Sequence, residues 1–116
     1  MEQDCVFCRI IAGQVDGRVI YRDEFVTAFQ DAHPATPVHI LIIPNKHIAS
    51  INDLEEDDAH LIGRMALLAK QLARQHGVHE SGYRLVVNTG PDSGQSVFHL
   101  HMHLLGGRHI GRHAVV

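Results

Sequence analysis

The spacing of hydrophobic side chains divides this chain into several short strands and one long helix. Apolar and alternating runs predict strands over residues 18–21, 25–30, 39–44, 83–88 and 97–105. Leu61, Met65, Leu68 and Leu72 follow one another at spacings of four, three and four, which predicts a helix with a core-facing stripe. Gly77 is expected to end that helix.

Shorter signals complete the order of elements. Val6, Ile10 and Ile11 predict a first helix that ends at Gly13, and the acidic run 53–58 is expected to start the long helix. The prolines of segment 33–37 and the polar segment 89–96 predict loops, whereas the tail 108–116 carries no clear signal. Several strands with one long helix among them, and no repeated strand-helix alternation, predict an α+β fold with a mainly antiparallel sheet.

Length and composition set broad limits on the class of protein. The 116 residues fit a single domain, 1–116, and 45% hydrophobic with 20% charged residues is typical of a soluble globular protein. No apolar run approaches the ~20 residues that cross a bilayer, and the acidic first residues are unlike a signal peptide, so we expect no membrane partner and a cytoplasmic location. A net charge of −3 with scattered basic residues disfavours binding to long nucleic acids. Nucleotide binding through Rossmann or Walker loops is excluded because both glycine patterns are missing.

Three histidines stand at alternate positions near the end of the chain. In a strand, this spacing places His99, His101 and His103 on one face, while the apolar residues between them face the other way. Imidazole can act as nucleophile, acid, base or metal ligand near neutral pH. A solvent-facing strand with incidental histidines is the alternative. The following Leu-Leu-Gly-Gly and the preceding loop favour a functional site.

Two further segments are candidates for chemistry. Cys5 and Cys8 form a Cys-x-x-Cys pair, for which a disulfide or a redox pair is disfavoured, because the compartment is reducing and too few residues precede Cys5 to form a strand. Half of a zinc site, completed by histidines, is the favoured interpretation.

The glycine- and serine-containing loop 90–96 could cradle a phosphate beside the imidazoles, or it could be an ordinary turn.

The segment 99–105 resembles the His-apolar-His-apolar-His-apolar-apolar signature of the histidine triad (HIT) family of nucleotide hydrolases and transferases. Segments 29–31, 39–47, 83–88 and 94–96 resemble the Hint branch of that family, in the same order, so that residues 4–107 are covered. The resemblance implies a HIT-like fold with one long and one short helix, assembled as a homodimer.

The resemblance also implies a function. It is hydrolysis of the bond to the α-phosphate of a purine nucleoside 5′-phosphoramidate or an aminoacyl-adenylate, through a nucleotidyl-histidine on His101 and with release of AMP. His103, His99 and Ser96 would complete the catalytic set, with His103 and Ser96 on the phosphate oxygens. Asp31 would bind the ribose hydroxyls and Asn88 the phosphate end.

The remaining implied roles concern the loop, the base and a metal. Gly94 and Gln95 would contribute to the substrate-binding loop. The residues expected to wall the base pocket are Val6, Phe7, Ile10 and Phe29. The residues expected to hold a structural zinc ion are Cys5, Cys8, His47 and His99, and no organic cofactor is expected. His39 is expected to pack against the site or to support it.

Other functions stay open on the sequence alone. A dinucleoside polyphosphate hydrolase or a nucleotidyl transferase of the same superfamily would use the same triad. A non-catalytic nucleotide-binding or interaction protein would keep the pocket without turnover, and a small zinc scaffold would use all histidines as ligands. The chain contains no tryptophan, unlike the C-terminal tail of eukaryotic Hint proteins, so the preferred leaving group stays open. The residues do not distinguish a purine from a pyrimidine base, and purine is expected from the resemblance to the Hint branch.

Overall fold

The computed structural model describes residues 4–112 and 116, so the first three residues and residues 113–115 of the tail lie outside the described part. Its helices and strands are α1 (Val6–Ile11), β1 (Val19–Arg22), β2 (Val26–Gln30), β3 (Val38–Pro44), α2 (Ala59–Gln75), β4 (Tyr83–Val86) and β5 (Met102–Gly106). The strands form one sheet in the order β1-β2-β3-β5-β4, with every neighbouring pair antiparallel. The predicted α+β class and antiparallel sheet are confirmed.

The central strand β3 separates two apolar clusters. Its side chains alternate between the sheet faces, so Ile40 and Ile42 pack into one cluster and Leu41 and Ile43 into the other. The larger cluster lies under α2, whose predicted stripe is confirmed. The stripe residues that α2 buries there are Leu61, Met65, Leu68 and Leu72. The smaller cluster lies under α1, which covers the opposite face of the sheet.

The long helix starts later than its acidic run suggests. The run is wound into two 3₁₀ turns, Ile51–Asp53 and Glu56–Asp58, and α2 itself begins at Ala59. The carboxylate of Asp58 accepts hydrogen bonds from the Glu55 amide at 3.1 Å and from Lys46 Nζ at 2.7 Å, which holds the second turn in place. The predicted end is confirmed, because Gly77 takes φ +73° and Val78 N donates to Ala73 O at 2.9 Å.

The histidine strand is shorter than predicted. We expected residues 97–105, whereas β5 covers Met102–Gly106, so His99 and His101 precede the ladder. Continuing the β3–β5 register would place Leu100 opposite Pro44, which has no amide hydrogen to donate. Leu100 N instead donates to Ile48 O at 2.7 Å. The predicted alternation persists, since Leu100, Met102 and Leu104 all pack into the cluster under α2.

Two smaller differences concern the segments around the end of β4. The strand predicted over 83–88 ends at Val86, and the predicted loop 89–96 contains a 3₁₀ turn, Pro91–Ser93. Within the described ranges, no helix is long and apolar enough to cross a membrane.

Candidate active site and adjoining metal site

A pocket of about 640 Å³ opens on the α1 side of the sheet and collects most of the predicted site residues. Its walls come from α1 and the segment that follows it, from the end of β2 and the residues after it, from the middle of β3, and from β5 with the segment that precedes it. The predicted site residues that line it are Val6, Phe7, Ile10, Phe29, Asp31, Ser96, His101 and His103. An apolar floor with a few polar groups at one side is the usual construction of a small-molecule site.

His101 is buried in the pocket wall with one ring nitrogen already used. Its Nδ1 lies 2.7 Å from the carbonyl oxygen of His99, so Nδ1 carries the proton and donates, which leaves the lone pair on Nε2. The ring of Phe7 stands edge-on to the imidazole, with centroids 5.2 Å apart. Burial lowers the pKa of His101, although the His99 carbonyl and Asp31 oppose the shift. The ring is therefore neutral near pH 7 and can attack through Nε2.

His103 stands beside His101, with ring centroids 5.0 Å apart. Burial lowers the pKa of His103 to about 4, and the charges of His101 and His39 act in the same direction, whereas Asp31 opposes them. Its Nδ1 lies 2.9 Å from His39 Nε2. Among the described residues, His103 Nε2 is the buried side-chain polar atom for which no hydrogen-bond partner is found. Because buried polar atoms are rarely left unpaired, this nitrogen is available for a ligand.

Asp31 lies at the rim of the same pocket. Its Oδ1 accepts a hydrogen bond from the His33 amide at 2.7 Å, and its Oδ2 lies 3.4 Å from His39 Nε2. The carboxylate is half-buried, so it keeps acceptor capacity toward the pocket.

Three predicted substrate contacts lie outside the pocket lining. The buried side chain of Gln95 accepts from Gly90 N at 2.8 Å and donates to Ala49 O at 2.8 Å, so backbone groups already use both ends of the amide. Gly94 takes φ +88° and its amide donates to Pro91 O at 3.0 Å, within the loop. These bonds tie the loop to its own backbone and to Ala49, directly before Ser96 in the chain. Asn88 Nδ2 donates to the carbonyl oxygen of Val116 at 2.9 Å.

The four predicted metal ligands converge beside the pocket. The ligand atoms of Cys5, Cys8, His47 and His99 all lie within 4.8 Å of one another, close enough to hold a metal ion. Cys5 Sγ lies 3.4 Å from His99 Nδ1, and Cys8 Sγ lies 3.2 Å from His47 Nδ1 and 3.5 Å from His99 Nδ1. In tetrahedral zinc with Zn–S of about 2.3 Å and Zn–N of about 2.0 Å, sulfur and nitrogen ligands stand roughly 3.5 Å apart. The donor set therefore fits zinc in both type and spacing.

The second nitrogen of His99 supports the same interpretation. His99 is fully buried, and its Nε2 lies 2.8 Å from Pro44 O, so Nε2 carries the proton and Nδ1 faces the two sulfurs with its lone pair. Metal-binding histidines are usually held in this way by a carbonyl oxygen. Burial lowers the pKa of His99 to about 4, against the effect of the Pro44 carbonyl, so the ring is neutral.

His39 is the site residue whose contacts the sequence did not resolve. Its imidazole is buried, bonded to His103 and close to Asp31, and so contacts two polar residues that line the pocket. A signal was present in the alternation along β3, because His39 lies on the same face as Leu41, which is opposite His103 in the neighbouring strand.

The comparisons with known proteins agree with this geometry. The family model of the HIT domain matches residues 12–110. The purine nucleoside phosphoramidase of Escherichia coli K12 is 45% identical over 111 residues, which cover 96% of this chain and 93% of that protein. A HIT family hydrolase from Legionella pneumophila has 47% identity and a TM-score of 0.90, over 92% of this chain and 96% of that one. A HIT family hydrolase from Clostridium thermocellum has 44% identity and a TM-score of 0.92, over 96% of each chain. By sequence and by fold, this chain belongs to the HIT domain family.

Proposed function

We propose that this chain is a nucleotide hydrolase that cleaves the bond between the α-phosphorus and an amine in a purine nucleoside 5′-phosphoramidate. The observation that carries the proposal is the state of His101, whose Nδ1 is bonded to the backbone carbonyl oxygen of His99, which leaves the lone pair on Nε2, in the wall of a nucleotide-sized pocket. The similarity to a purine nucleoside phosphoramidase and to HIT family hydrolases supports hydrolysis as the reaction.

In the proposed first step, His101 Nε2 attacks the α-phosphorus. An N–P bond forms to His101 while the P–N bond to the leaving amine breaks, and the amine leaves with the bonding electron pair and takes up a proton from solvent. His103 Nε2 and the Ser96 hydroxyl, which line the same pocket, donate hydrogen bonds to the phosphate oxygens and stabilise the developing charge. In the second step, water attacks the phosphorus and loses a proton to solvent, the P–N bond breaks with its electron pair returning to His101 Nε2, and AMP is released.

The pocket also suggests how the rest of the nucleotide binds. The apolar side chains of Val6, Phe7, Ile10 and Phe29 line its interior, where a purine ring would be buried. Asp31 at the rim would accept hydrogen bonds from the ribose hydroxyls, which places the α-phosphate toward the histidines.

We further propose that the cysteine and histidine cluster holds a structural zinc ion. Two sulfurs and two imidazoles complete a tetrahedral set with no position for substrate, so a bound zinc ion supplies cross-linking of the fold. It would connect the start of α1, which carries Cys5 and Cys8, to the segment before β5 that carries His99 and His101.

We also propose that the protein forms a homodimer, as the family resemblance implies. Light scattering on the purified protein would test it, with a dimeric mass as the expected result. A monomer at every concentration used in the activity assay would contradict the proposal.

The experiment that tests the function is steady-state hydrolysis of an adenosine 5′-phosphoramidate carrying a fluorescent amine. We expect turnover and a covalent AMP adduct in the wild type, with both absent in His101→Ala, because only His101 supplies the nucleophilic Nε2. His109→Ala is the matched control, since His109 is an exposed histidine outside this pocket. Intact mass spectrometry after rapid acid-free quenching detects the adduct.

The same assay separates the alternative functions. Faster turnover of a dinucleoside polyphosphate than of the phosphoramidate would favour the polyphosphate hydrolase. Nucleotide binding without turnover in either protein would contradict hydrolysis and favour a non-catalytic nucleotide-binding protein.

A further inference from the structure

A second group of potential metal ligands lies at the pocket, where Asp31 and His103 belong to the lining and His39 lies behind them. The ligand atoms of Asp31, His39 and His103 lie within 4.8 Å of one another, and two imidazoles with one carboxylate can hold a divalent cation. The same three residues could instead form a chain of hydrogen bonds. The two arrangements require different protons on His39, so the contacts of its ring decide between them.

The backbone amide of Ala35 fixes the tautomer of His39. Ala35 N donates a hydrogen bond to His39 Nδ1 at 2.9 Å. A nitrogen that accepts this bond must carry a lone pair, so the ring proton of neutral His39 is on Nε2. A metal ion at Nε2 would require the proton on Nδ1, where it would face the amide hydrogen of Ala35. The geometry is therefore unfavourable for a cation and favourable for donation from Nε2.

That proton determines the state of His103. His39 Nε2 lies 2.9 Å from His103 Nδ1 and 3.4 Å from Asp31 Oδ2, so the shorter contact is with His103. Since His39 donates, His103 Nδ1 must accept, and the proton of neutral His103 is on Nε2. This is the buried atom for which no hydrogen-bond partner is found among the described residues.

We infer that His39 is a positioning residue which, held by the Ala35 amide, fixes His103 as an Nε2–H donor toward the substrate phosphate. The inference rests on the proposed function for the identity of the acceptor. The tautomer of His103 is a property of the free protein and is independent of the proposed function. It also assigns the second ligand group to hydrogen bonding, with no resident cation.

The loop that presents the Ala35 amide is itself held in place. The carbonyl oxygen of Ala35 accepts a hydrogen bond from Arg108 Nη2 at 3.0 Å, so both the amide and the carbonyl of Ala35 are hydrogen-bonded to side chains. Gly107 takes φ +94°, and a Cβ there would stand 2.8 Å from Pro37 Cβ. The Gly-Gly pair that follows the histidines thus lets the chain pass close to the 34–37 loop, which keeps the amide directed at His39.

The test measures the tautomer directly. In zinc-loaded protein with ¹⁵N-labelled histidine, long-range ¹H–¹⁵N correlation spectra at pH 7 distinguish the two neutral tautomers of each ring. The His103 signals are assigned by their loss in His103→Gln. We expect His103 in the Nε2–H form in the wild type without any nucleotide. The Nδ1–H form, or an even mixture, would overturn the inference.

Two variants at His39 test whether this residue fixes the tautomer of His103. The side-chain amide of His39→Gln can accept from Ala35 N and donate to His103, whereas His39→Leu can do neither. We expect the Nε2–H form of His103 to persist in the glutamine variant and to become mixed in the leucine variant. With the phosphoramidate substrate, kcat should fall at least about tenfold in His39→Leu and less than about threefold in His39→Gln, with KM nearly unchanged in both. Equal losses in the two variants would contradict the inference.

The remaining measurements distinguish a failure of the inference about His39 from a failure of the proposed function. If His39→Leu does not fold, the wild-type tautomer and the glutamine variant still decide the outcome. Selective broadening of the His39 and His103 signals by Mn²⁺ would show that the group binds a cation, which would overturn the inference. If the tautomer is as expected but no phosphoramidate is hydrolysed, the proposed function fails while the positioning role of His39 stands.

Discussion

The buried state of His103 predicts how the stability of this fold depends on pH. Burial, with the charges of His101 and His39, lowers the pKa of His103 from 6.5 to about 4, and Asp31 only partly opposes this. The unfolded chain therefore binds this proton more readily than the native protein does between pH 6.5 and 4. The stability that neutral His103 contributes is present above the unfolded pKa and is lost as the pH falls through that range.

The size of the effect follows from the shift. A change from 6.5 to about 4 corresponds to roughly 3 kcal/mol when the whole range is crossed, and about 2 kcal/mol of it falls between pH 7 and 5. Because the open pocket admits water near the ring, we expect about 1–2 kcal/mol in that interval. Burial also lowers the pKa of His39, so its effect has the same sign.

The assay is urea unfolding of wild type and His103→Gln at pH 7, 6 and 5, in the presence of zinc. Glutamine keeps a polar, uncharged side chain, so the free energy of unfolding of the variant should fall less on acidification. Carboxylates and metal ligands titrate in both proteins and cancel in the difference. His109→Gln controls for the loss of an exposed histidine, and its pH profile should follow that of the wild type. Parallel profiles for wild type and His103→Gln would refute the reasoning.

Other changes should act on one part of the molecule each. Removing zinc with a chelator, or replacing Cys5 and Cys8 by serine, should lower the melting temperature by several degrees in calorimetry and leave the kcat of the folded protein within about threefold; metal analysis that finds no zinc in protein purified without added zinc would contradict the site. Met65→Ala should cost about 2–5 kcal/mol in urea unfolding because Met65 is fully buried on the face of α2 that packs against the sheet. The control Leu67→Ala, at a position 67% exposed, should cost less than about 0.5 kcal/mol. Gly107→Ala should destabilise by at least about 1 kcal/mol and lower kcat, because it strains φ and crowds Pro37; unchanged unfolding and kinetics would show that the loop does not depend on this glycine.

The parts of the fold that local pattern controls were predictable from the sequence. The stripe of α2 and the strand β3 are encoded by which neighbouring residues are apolar, and their burial follows once any core forms. The end of α2 at Gly77 is equally local, since it depends on one residue with positive φ.

The parts that depend on a partner segment were not predictable in the same way. The start of β5 is set by the lack of an amide hydrogen on Pro44, a residue 58 positions away from Met102 along the chain. In the acidic run, the carboxylate of Asp58 at the end of the second 3₁₀ turn binds Lys46, which lies outside the run, as well as the amide of Glu55. In both cases the pattern identified the element correctly, and a residue outside the element contacts the point where it begins.

In the candidate site, too, the local pattern predicts part of the arrangement and contacts with other segments determine the rest. Alternation in the sequence predicts that His101 and His103 share a face, yet it says nothing about which nitrogen of either ring carries the proton. That is determined by the His99 carbonyl for His101, and by His39 and the Ala35 amide for His103. As a result, the two neighbouring imidazoles present opposite characters from the same nitrogen, a lone pair on His101 Nε2 and a hydrogen on His103 Nε2. A nucleophile beside a donor is what attack on a phosphate ester or amide requires, and here the backbone contacts of each ring create that difference.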